Sequence, residues 1–374
     1  MPADRLTDRA LGRATLARQF LLNRSDASAL EMIEHLCGLQ AQAPDPPYFA
    51  LWCRLQGFRP EDLASLVENR DVVRIVAMRG TVFALSARDA LTLRPLTQRI
   101  LDQDLHTNTQ HRENLRGIDV HALAAAGREL TADGPLTAVQ MRPLLESRFP
   151  GRDGASLAHG IRGVVPMVQV PPRGVWGKSG PPALVPLESW VDAKLDAAPD
   201  VDAVMLRYLA AFGPASVKDA QAWSGLTGLG EIFDRLRPRL RVYLAESGAE
   251  LFDLPEFPRP ESDTAVPVRI LAPFDNVLLS HADRTRIVDP EVRARIITQN
   301  GIVKPAVLVN GRVVGFASTT RKNGCAVLNV EPLKKIASRN RDSVVAEGRR
   351  LLKFVHPDAE TREVRFVNGR DGLM

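Results

Sequence analysis

The sequence predicts an α+β chain in which helix-rich units are each closed by a two-stranded ribbon, ahead of a β-rich C-terminal region. Three observations carry that reading. Apolar residues recur at helical intervals through most of the first 120 positions. Runs of β-branched residues interrupted by glycine or proline follow successive helical stretches. Beyond the proline-bearing segment 258–267, the pattern changes to short apolar strands joined by turn signals, of which Asn310-Gly311 is the strongest. At 374 residues, with 45% hydrophobic and 25% charged residues, the chain is long enough for two to four compact domains and has an ordinary globular composition.

Ala10, Ala14, Ala17 and Leu21 form a narrow apolar stripe and predict a first helix. Ser28 and Glu31 have capping-box spacing and precede Met32, Ile33, Leu36 and Leu39, so a second helix is expected to run to about Gln40. Pro44 disfavours helical geometry at Ala43 and enforces a stop. Pro60-Glu61-Asp62 opens another helix with acidic residues in its first turn. Residues 72–85 read as a ribbon turning at Arg79-Gly80. Helices followed by a ribbon are the order of a winged helix.

That order recurs. Helices are expected at 118–130 and 137–149, then short strands at 164–170 and 173–176 around Pro171-Pro172. A third unit has helices at 201–212, 217–225 and 231–237, with a ribbon at 240–246 and 250–254. Between its first two helices, Phe212-Gly213-Pro214-Ala215-Ser216 reads as a helix–turn–helix corner. No strict sequence repeat accompanies the three units. The C-terminal region predicts strands at 268–271, 277–279, 286–288, 307–309, 313–316 and 326–330, a second turn at Lys322-Asn323-Gly324, and a closing helix at 344–354. That pattern reads as a small sheet or barrel.

Composition narrows the function. Cys37, Cys53 and Cys325 form no metal-ligand spacing and read as reduced core thiols, as in a cytosolic protein. No signal-peptide pattern opens the chain, and no apolar run has the length of a membrane span. The net charge is +5, but between Arg284 and Arg350 fourteen Lys/Arg face five Asp/Glu, so the remainder is net acidic. A basic region of this kind suits a phosphate backbone, and equally a solvated face without a partner. The motifs of zinc deaminases, serine hydrolases and Walker A loops are absent. Gly225-Leu226-Thr227-Gly228-Leu229-Gly230 is glycine-rich but follows a helix, which argues against a phosphate loop.

Gln40-Ala41-Gln42 is the most suggestive site. Two residues at i and i+2 share one side only in an extended segment, and paired amides can then orient a water or a base edge. The alternative is that the amides merely satisfy carbonyls at a helix end. Arg79 is placed to reach a phosphate or to cover a helix with its stem. His281-Ala282-Asp283-Arg284 suits proton relay or phosphate binding, or else a structural salt bridge of Asp283 with an arginine. Arg312, Arg321 and Lys322 flank the turns of a basic hairpin, a device that enters nucleic-acid grooves.

Taken together, Gln40-Ala41-Gln42, Met78-Arg79-Gly80-Thr81, residues 169–177, Tyr208 to Ser216, Ala222-Trp223-Ser224-Gly225-Leu226, Leu271 to Asn276 and His281 to Arg284 resemble, in order over nearly the whole chain, the winged-helix DNA glycosylases of the AlkZ/YcaQ type. The resemblance implies a C-shaped protein of three tandem winged helices (1–117, 118–195, 196–257) and a C-terminal β-barrel domain (258–374), enclosing DNA in a basic channel. It implies a monofunctional DNA glycosylase that removes N7-alkylguanine and unhooks interstrand crosslinks. Its partner would be double-stranded DNA carrying alkyl adducts. The protein would act as a cytoplasmic, nucleoid-associated monomer with no cofactor and no metal. The family's motif of Gln, a small or aliphatic residue, then Gln or Asp maps onto Gln40, Ala41 and Gln42. The final Gln places the chain with the AlkZ-like branch, which includes self-resistance enzymes of producers of DNA-alkylating antibiotics. Arg79, His281, Arg284, Arg312, Arg321 and Lys322 would face DNA. Two residues depart from the pattern: Phe83, where many relatives have His, and Phe316, where Trp is common. A tandem winged-helix regulator and a protein that sequesters adducts without cutting them are the rival readings.

Overall fold

The structure, a computed structural model, describes residues 4–367 and is mixed α+β. The first helix, Asp8–Arg18, is capped by Thr7, whose hydroxyl accepts from the Ala10 N–H at 3.1 Å. Ahead of it, Arg5–Leu6 pairs in parallel with the Arg241–Ala245 strand, so the N-terminal segment covers an otherwise open sheet edge of the third unit. The Ser28/Glu31 capping box is present in both directions, at 3.2 and 2.8 Å. The second helix, however, spans Ala29–His35 and stops well short of Gln40. Cys37 and Gly38 take left-handed backbone angles (φ 52° and 96°), and the Gly38 N–H returns to the Ile33 carbonyl at 2.8 Å, which closes the helix early.

The ribbon Val72–Val76/Val82–Ser86 forms as expected, but it does not stand alone. A six-stranded sheet runs in the order Leu39–Gln40, Val82–Ser86, Val72–Val76, Met167–Gln169, Ala183–Pro186, Leu136–Thr137, so the ribbons of the first two units share one sheet. Residues 173–176 form turns rather than the expected strand, and Ala183–Pro186 pairs in their place. Gly174 and Gly177, both at positive φ, break the extended run. The expected strand at 164–170 is reduced to Met167–Gln169, because Val164 ends a helix that starts at Gly154.

Alternation along the central ribbon explains how the halves of the molecule meet. Val72, Val76, Val82 and Ala84 join a core shared with the C-terminal region, in which Ile33, Leu51, Leu271, Val277 and Leu308 also pack. Val73, Ile75, Phe83 and Leu85 join a second core with Tyr208, Phe212 and Trp223 of the third unit. A strand exposes alternate residues to opposite faces, so this ribbon is buried on both sides. The third unit follows the sequence reading closely, with helices Val201–Phe212, Val217–Ser224 and Gly230–Leu236 and strands Arg241–Ala245 and Glu250–Asp253.

The C-terminal sheet has five strands, Arg269–Ile270, Ala306–Val309, Arg312–Lys322, Cys325–Pro332 and Thr361–Phe366, and curls as a half-barrel whose two edge strands do not pair with each other. Asn310-Gly311 and Asn323-Gly324 all have φ between 49° and 77°, the geometry that paired left-handed residues give a tight hairpin. The last strand runs parallel to its neighbour, because the helix Ser338–Val355 carries the chain back across the sheet. Two expected strands are absent. Residues 276–279 form one helical turn, which Asp275 starts by accepting from the Val277 N–H, and residues 286–288 lie in and just after a turn. The helix Pro290–Ile296 and the strand Thr361–Phe366 have no counterpart in the sequence reading.

Candidate active site

The left-handed Gly38 sets the site. A Cβ there would lie 2.3 Å from a methyl of Leu85 and 3.2 Å from the Ala84 carbonyl, so only glycine lets the chain pass this close to the sheet. The chain then becomes extended, pairing Leu39 with Ala84 and Gln40 with Phe83, and the Ala41 N–H donates to the Val82 carbonyl at 2.7 Å. Ala41 is fully buried in the core, and the strand gives way to a bend at Gln42. Gln40 is 8% exposed and Gln42 is exposed.

Three side chains from other elements hold this segment. Asn276 donates to the Gly38 carbonyl at 2.9 Å. Arg74 donates to the Ala41 carbonyl at 3.0 Å and the Ala43 carbonyl at 3.4 Å, with Gln169 Oε1 at 3.2 Å. Burial, with Arg173 nearby, pushes the Arg74 guanidinium down to about 10, so it stays charged at neutral pH. Arg79 donates from Nη2 to Gln40 Oε1 at 2.8 Å and from Nη1 to the Trp223 carbonyl. Gln42 Oε1 accepts from the Val82 N–H at 3.2 Å. Both amide oxygens thus face obligatory donors, which fixes the orientation of each amide.

Arg79 sits in the turn of the central ribbon at φ 56°, with its guanidinium 5.2 Å from the Phe83 ring centroid. Burial and the nearby charge of Arg284 push it down to about 10. Arg284 is lowered to about 10 by burial and by Arg293, and its Nε donates to the His281 carbonyl at 3.0 Å. Neither arginine has a carboxylate within ion-pair reach among the described residues. Gly225 packs beneath the turn, where a Cβ would lie 3.1 Å from the Arg79 nitrogen. That close approach, rather than a phosphate, accounts for a glycine at the start of the Gly225–Gly230 run.

The remaining expected residues lie elsewhere. His281 is 1% exposed, faces the Phe212 carbonyl at 2.9 Å through Nε2, and therefore braces the helix–turn–helix corner instead of reaching DNA. Burial and Arg286 push it down to about 4, against the opposing pull of Asp219. Asp283 pairs with no arginine among the described residues; it caps Thr285, at 2.9 and 2.7 Å. The acid in this network is Asp219, which closes a capping box with Ser216 and accepts from the Ala282 and Asp283 N–H groups at 2.9 and 3.3 Å. Arg312 is bound to Asp289 and the Thr285 carbonyl, and Arg321 to Asp358 through two bonds of 3.0 and 2.9 Å. Lys322 is exposed at the hairpin turn, and the ring of Phe316 carries Lys304 Nζ 3.8 Å from its centroid. The structure thus gathers Gln40, Gln42, Arg79 and, beside Arg79, Arg284, while Arg312 lies at one end of the strand Arg312–Lys322 and Arg321 and Lys322 at the other. Arg74, Asn276 and Asp219 escaped the sequence reading. Arg74 had a signal, a lone charge inside the apolar run Val72-Val73-Arg74-Ile75-Val76.

Comparison with known proteins gives three findings. A family model described as DNA glycosylase AlkZ-like matches residues 33–354. The interstrand DNA cross-link repair glycosylase of Streptomyces sahachiroi is 26% identical over 342 residues, covering 80% of this chain and 84% of that protein. The solved structure of Streptomyces sahachiroi DNA glycosylase AlkZ superposes with a TM-score of 0.78 over 97% of this chain and 100% of that one. At 21% identity that likeness speaks for the fold.

Proposed function

The chain belongs to the AlkZ-like DNA glycosylase family, and on that premise we propose that it hydrolyses the N-glycosidic bond of N7-alkylguanine in duplex DNA, unhooking interstrand crosslinks and releasing bulky adducts of alkylating natural products. The activity named for the Streptomyces sahachiroi relative supports the crosslink as substrate. Membership in an enzyme family does not favour a regulator or a sequestering protein. The helical units are read as three winged helices with boundaries at 117, 195 and 257, ahead of the half-barrel domain. Together they form a C-shaped monomer that encloses DNA and works in the cytoplasm on the nucleoid. Because one sheet crosses the first of those boundaries, the first two units act as a single block.

The observation that supports the catalytic assignment is that one hairpin receives both amides of a well-anchored segment, Gln40 through Arg79 and Gln42 through the Val82 N–H. Alkylation at N7 gives guanine a positive charge, so the base departs neutral and needs little acid help. What remains is to place a water at C1′ and to steady an oxocarbenium-like sugar. Each amide oxygen has one lone pair committed to the protein and one free. Fixed amides next to a reacting carbon supply orientation and preorganised dipoles without the basicity of a carboxylate. Of the cations expected to face DNA, Arg284 and Lys322 have no carboxylate partner among the described residues and meet phosphates directly, and Arg312 and Arg321 join them by exchanging carboxylate partners for phosphate oxygens. His281 stays in its packing role.

The test is release of free base from a duplex carrying one N7-alkylguanine. Gln42→Ala is expected to lose about 100-fold in single-turnover rate with DNA affinity retained. Release at the wild-type rate by Gln42→Ala moves the site elsewhere. No release by wild type from either a methyl or a crosslinked adduct rejects the substrate.

A further inference from the structure

We infer that Arg79 is a positioning residue that divides the labour of the glutamine pair, holding Gln40 as a hydrogen-bond donor toward the bound nucleotide and leaving the acceptor's part to Gln42. The inference rests on reading Gln40 and Gln42 as the catalytic pair. Three features of the structure lead to it.

The first is the partner of each amide oxygen. Gln40 Oε1 binds a cationic guanidinium at 2.8 Å, whereas Gln42 Oε1 binds a neutral backbone N–H at 3.2 Å. A charge-assisted bond withdraws electron density from the Gln40 carbonyl, weakens its second lone pair as an acceptor and makes its N–H groups stronger donors. An oxygen beside a guanidinium is also poorly suited to steady a developing cation, while the Gln42 oxygen keeps its negative potential. The second is the free end of Gln40. Its Nε2 has no protein partner among the described residues and opens toward solvent, on a residue that is otherwise 8% exposed.

The third is the mounting of Arg79 itself. It has no carboxylate partner among the described residues, and its two Nη atoms are divided between Gln40 and the Trp223 carbonyl at the end of the Val217–Ser224 helix. Its backbone is left-handed at φ 56°, over Gly225, whose missing Cβ allows the approach. Two of its five N–H donors are thus committed to the protein, and the salt dependence of DNA binding separates this role from that of a phosphate-binding arginine. The third unit thereby reaches into the site of the first: the last turn of one helix sets the direction of an amide two modules away in sequence.

Base release from duplex DNA carrying one N7-alkylguanine, measured under single turnover, tests this with wild type, Gln42→Ala, Gln40→Glu, Arg79→Gly and Arg79→Lys. Glycine suits the left-handed backbone, so Arg79→Gly removes the clamp without imposing strain, and its thermal unfolding verifies the fold. Arg79→Gly is expected to lose about 100-fold in rate, to recover partly when guanidinium or methylguanidinium is added, and to bind undamaged DNA with an unchanged salt dependence. Arg79→Lys is expected to remain slow, because one ammonium cannot span both oxygens in the planar geometry of a guanidinium. Gln40→Glu keeps a partner for Arg79 but replaces the donor with an acceptor, and is expected to lose about 100-fold as well.

Wild-type rates in Arg79→Gly, or a loss accompanied by a salt slope lower by about one, overturn the positioning role; the latter marks a phosphate contact. Full activity in Gln40→Glu overturns the donor assignment. If Gln42→Ala is also fully active, the catalytic pair itself is wrong, and if wild type releases no base, the proposed substrate is. Each of these outcomes differs from one confined to Arg79.

Discussion

At the residue scale, buried polar groups are spent on holding backbone. Arg74, Asn276 and Arg79 together fix the segment that carries Gln40 and Gln42, and none of the three makes a short ion pair. Each carries charge or polarity into a dry place, where an unmatched donor is costly, and Arg74 Nε is left without an acceptor. His281 is the exception with a measurable consequence. Its folded pKa lies near 4, below the ordinary value, because burial and Arg286 disfavour the imidazolium. Above pH 6.5 its contribution is fully present. As pH falls from 6.5 toward 4, the unfolded chain takes up a proton that the folded chain refuses, and stability drops by about 3 kcal/mol. Denaturant titrations at pH 7 and pH 4.5 are expected to show this extra loss in wild type and not in His281→Gln. An equal loss in both proteins removes His281 as its source.

At the scale of elements, the switch from helix to strand at Cys37-Gly38 decides the site. A helix continuing to Gln40 would send its two amides around the axis; ending at His35, it lets Leu39–Gln40 join the sheet and brings both amides to the Arg79–Val82 hairpin. Gly38→Ala puts a Cβ into Leu85 at a φ of 96° that alanine resists. Its expected cost is roughly 1–3 kcal/mol, read as a lower Tm, together with a base-release defect out of proportion to the stability lost. A variant as stable and as active as wild type shows that the left-handed turn is not what positions the pair. The same scale explains the expected strand at 277–279: an apolar run of three residues suits a strand or a helical turn equally well, and the Asp275 cap settles it.

At the scale of the whole molecule, ion pairs without solvent contact join parts far apart in sequence. Arg54 binds Asp275 at 2.7 Å with both side chains fully buried, linking the first unit to the half-barrel, and Gln19 completes the set at 3.1 Å. Arg18 and Asp253 do the same between the first helix and the third unit, at 2.6 Å. Such pairs contribute little net stability against a well-packed apolar pair, but removing one partner strands a buried charge. Asp275→Ala is expected to cost about 3–5 kcal/mol by that mechanism. It should also loosen the loop around Asn276 that braces Gly38. Denaturant unfolding measures the cost, and a change below 1 kcal/mol means that water reaches Arg54.

What the sequence determined by itself is local. The capping box at Ser28, the helix cap at Ser216, the corner at Gly213-Pro214 and the Asn-Gly turns all depend on residues within a few positions of one another, and all are legible in order. The Gln40/Gln42 motif and the family resemblance belong to the same level, since both are patterns along the chain. Only the tertiary structure decided which partners those elements meet. It merged two ribbons into one sheet, ran Thr361–Phe366 parallel to Cys325–Pro332, buried His281 and brought Arg79 to Gln40. The physical reason is the range of the interaction. A cap or a turn is selected by the backbone dihedrals of its own residues. The partner of a buried guanidinium is selected by which carbonyl or amide the packed core leaves unsatisfied, and no local pattern records that choice.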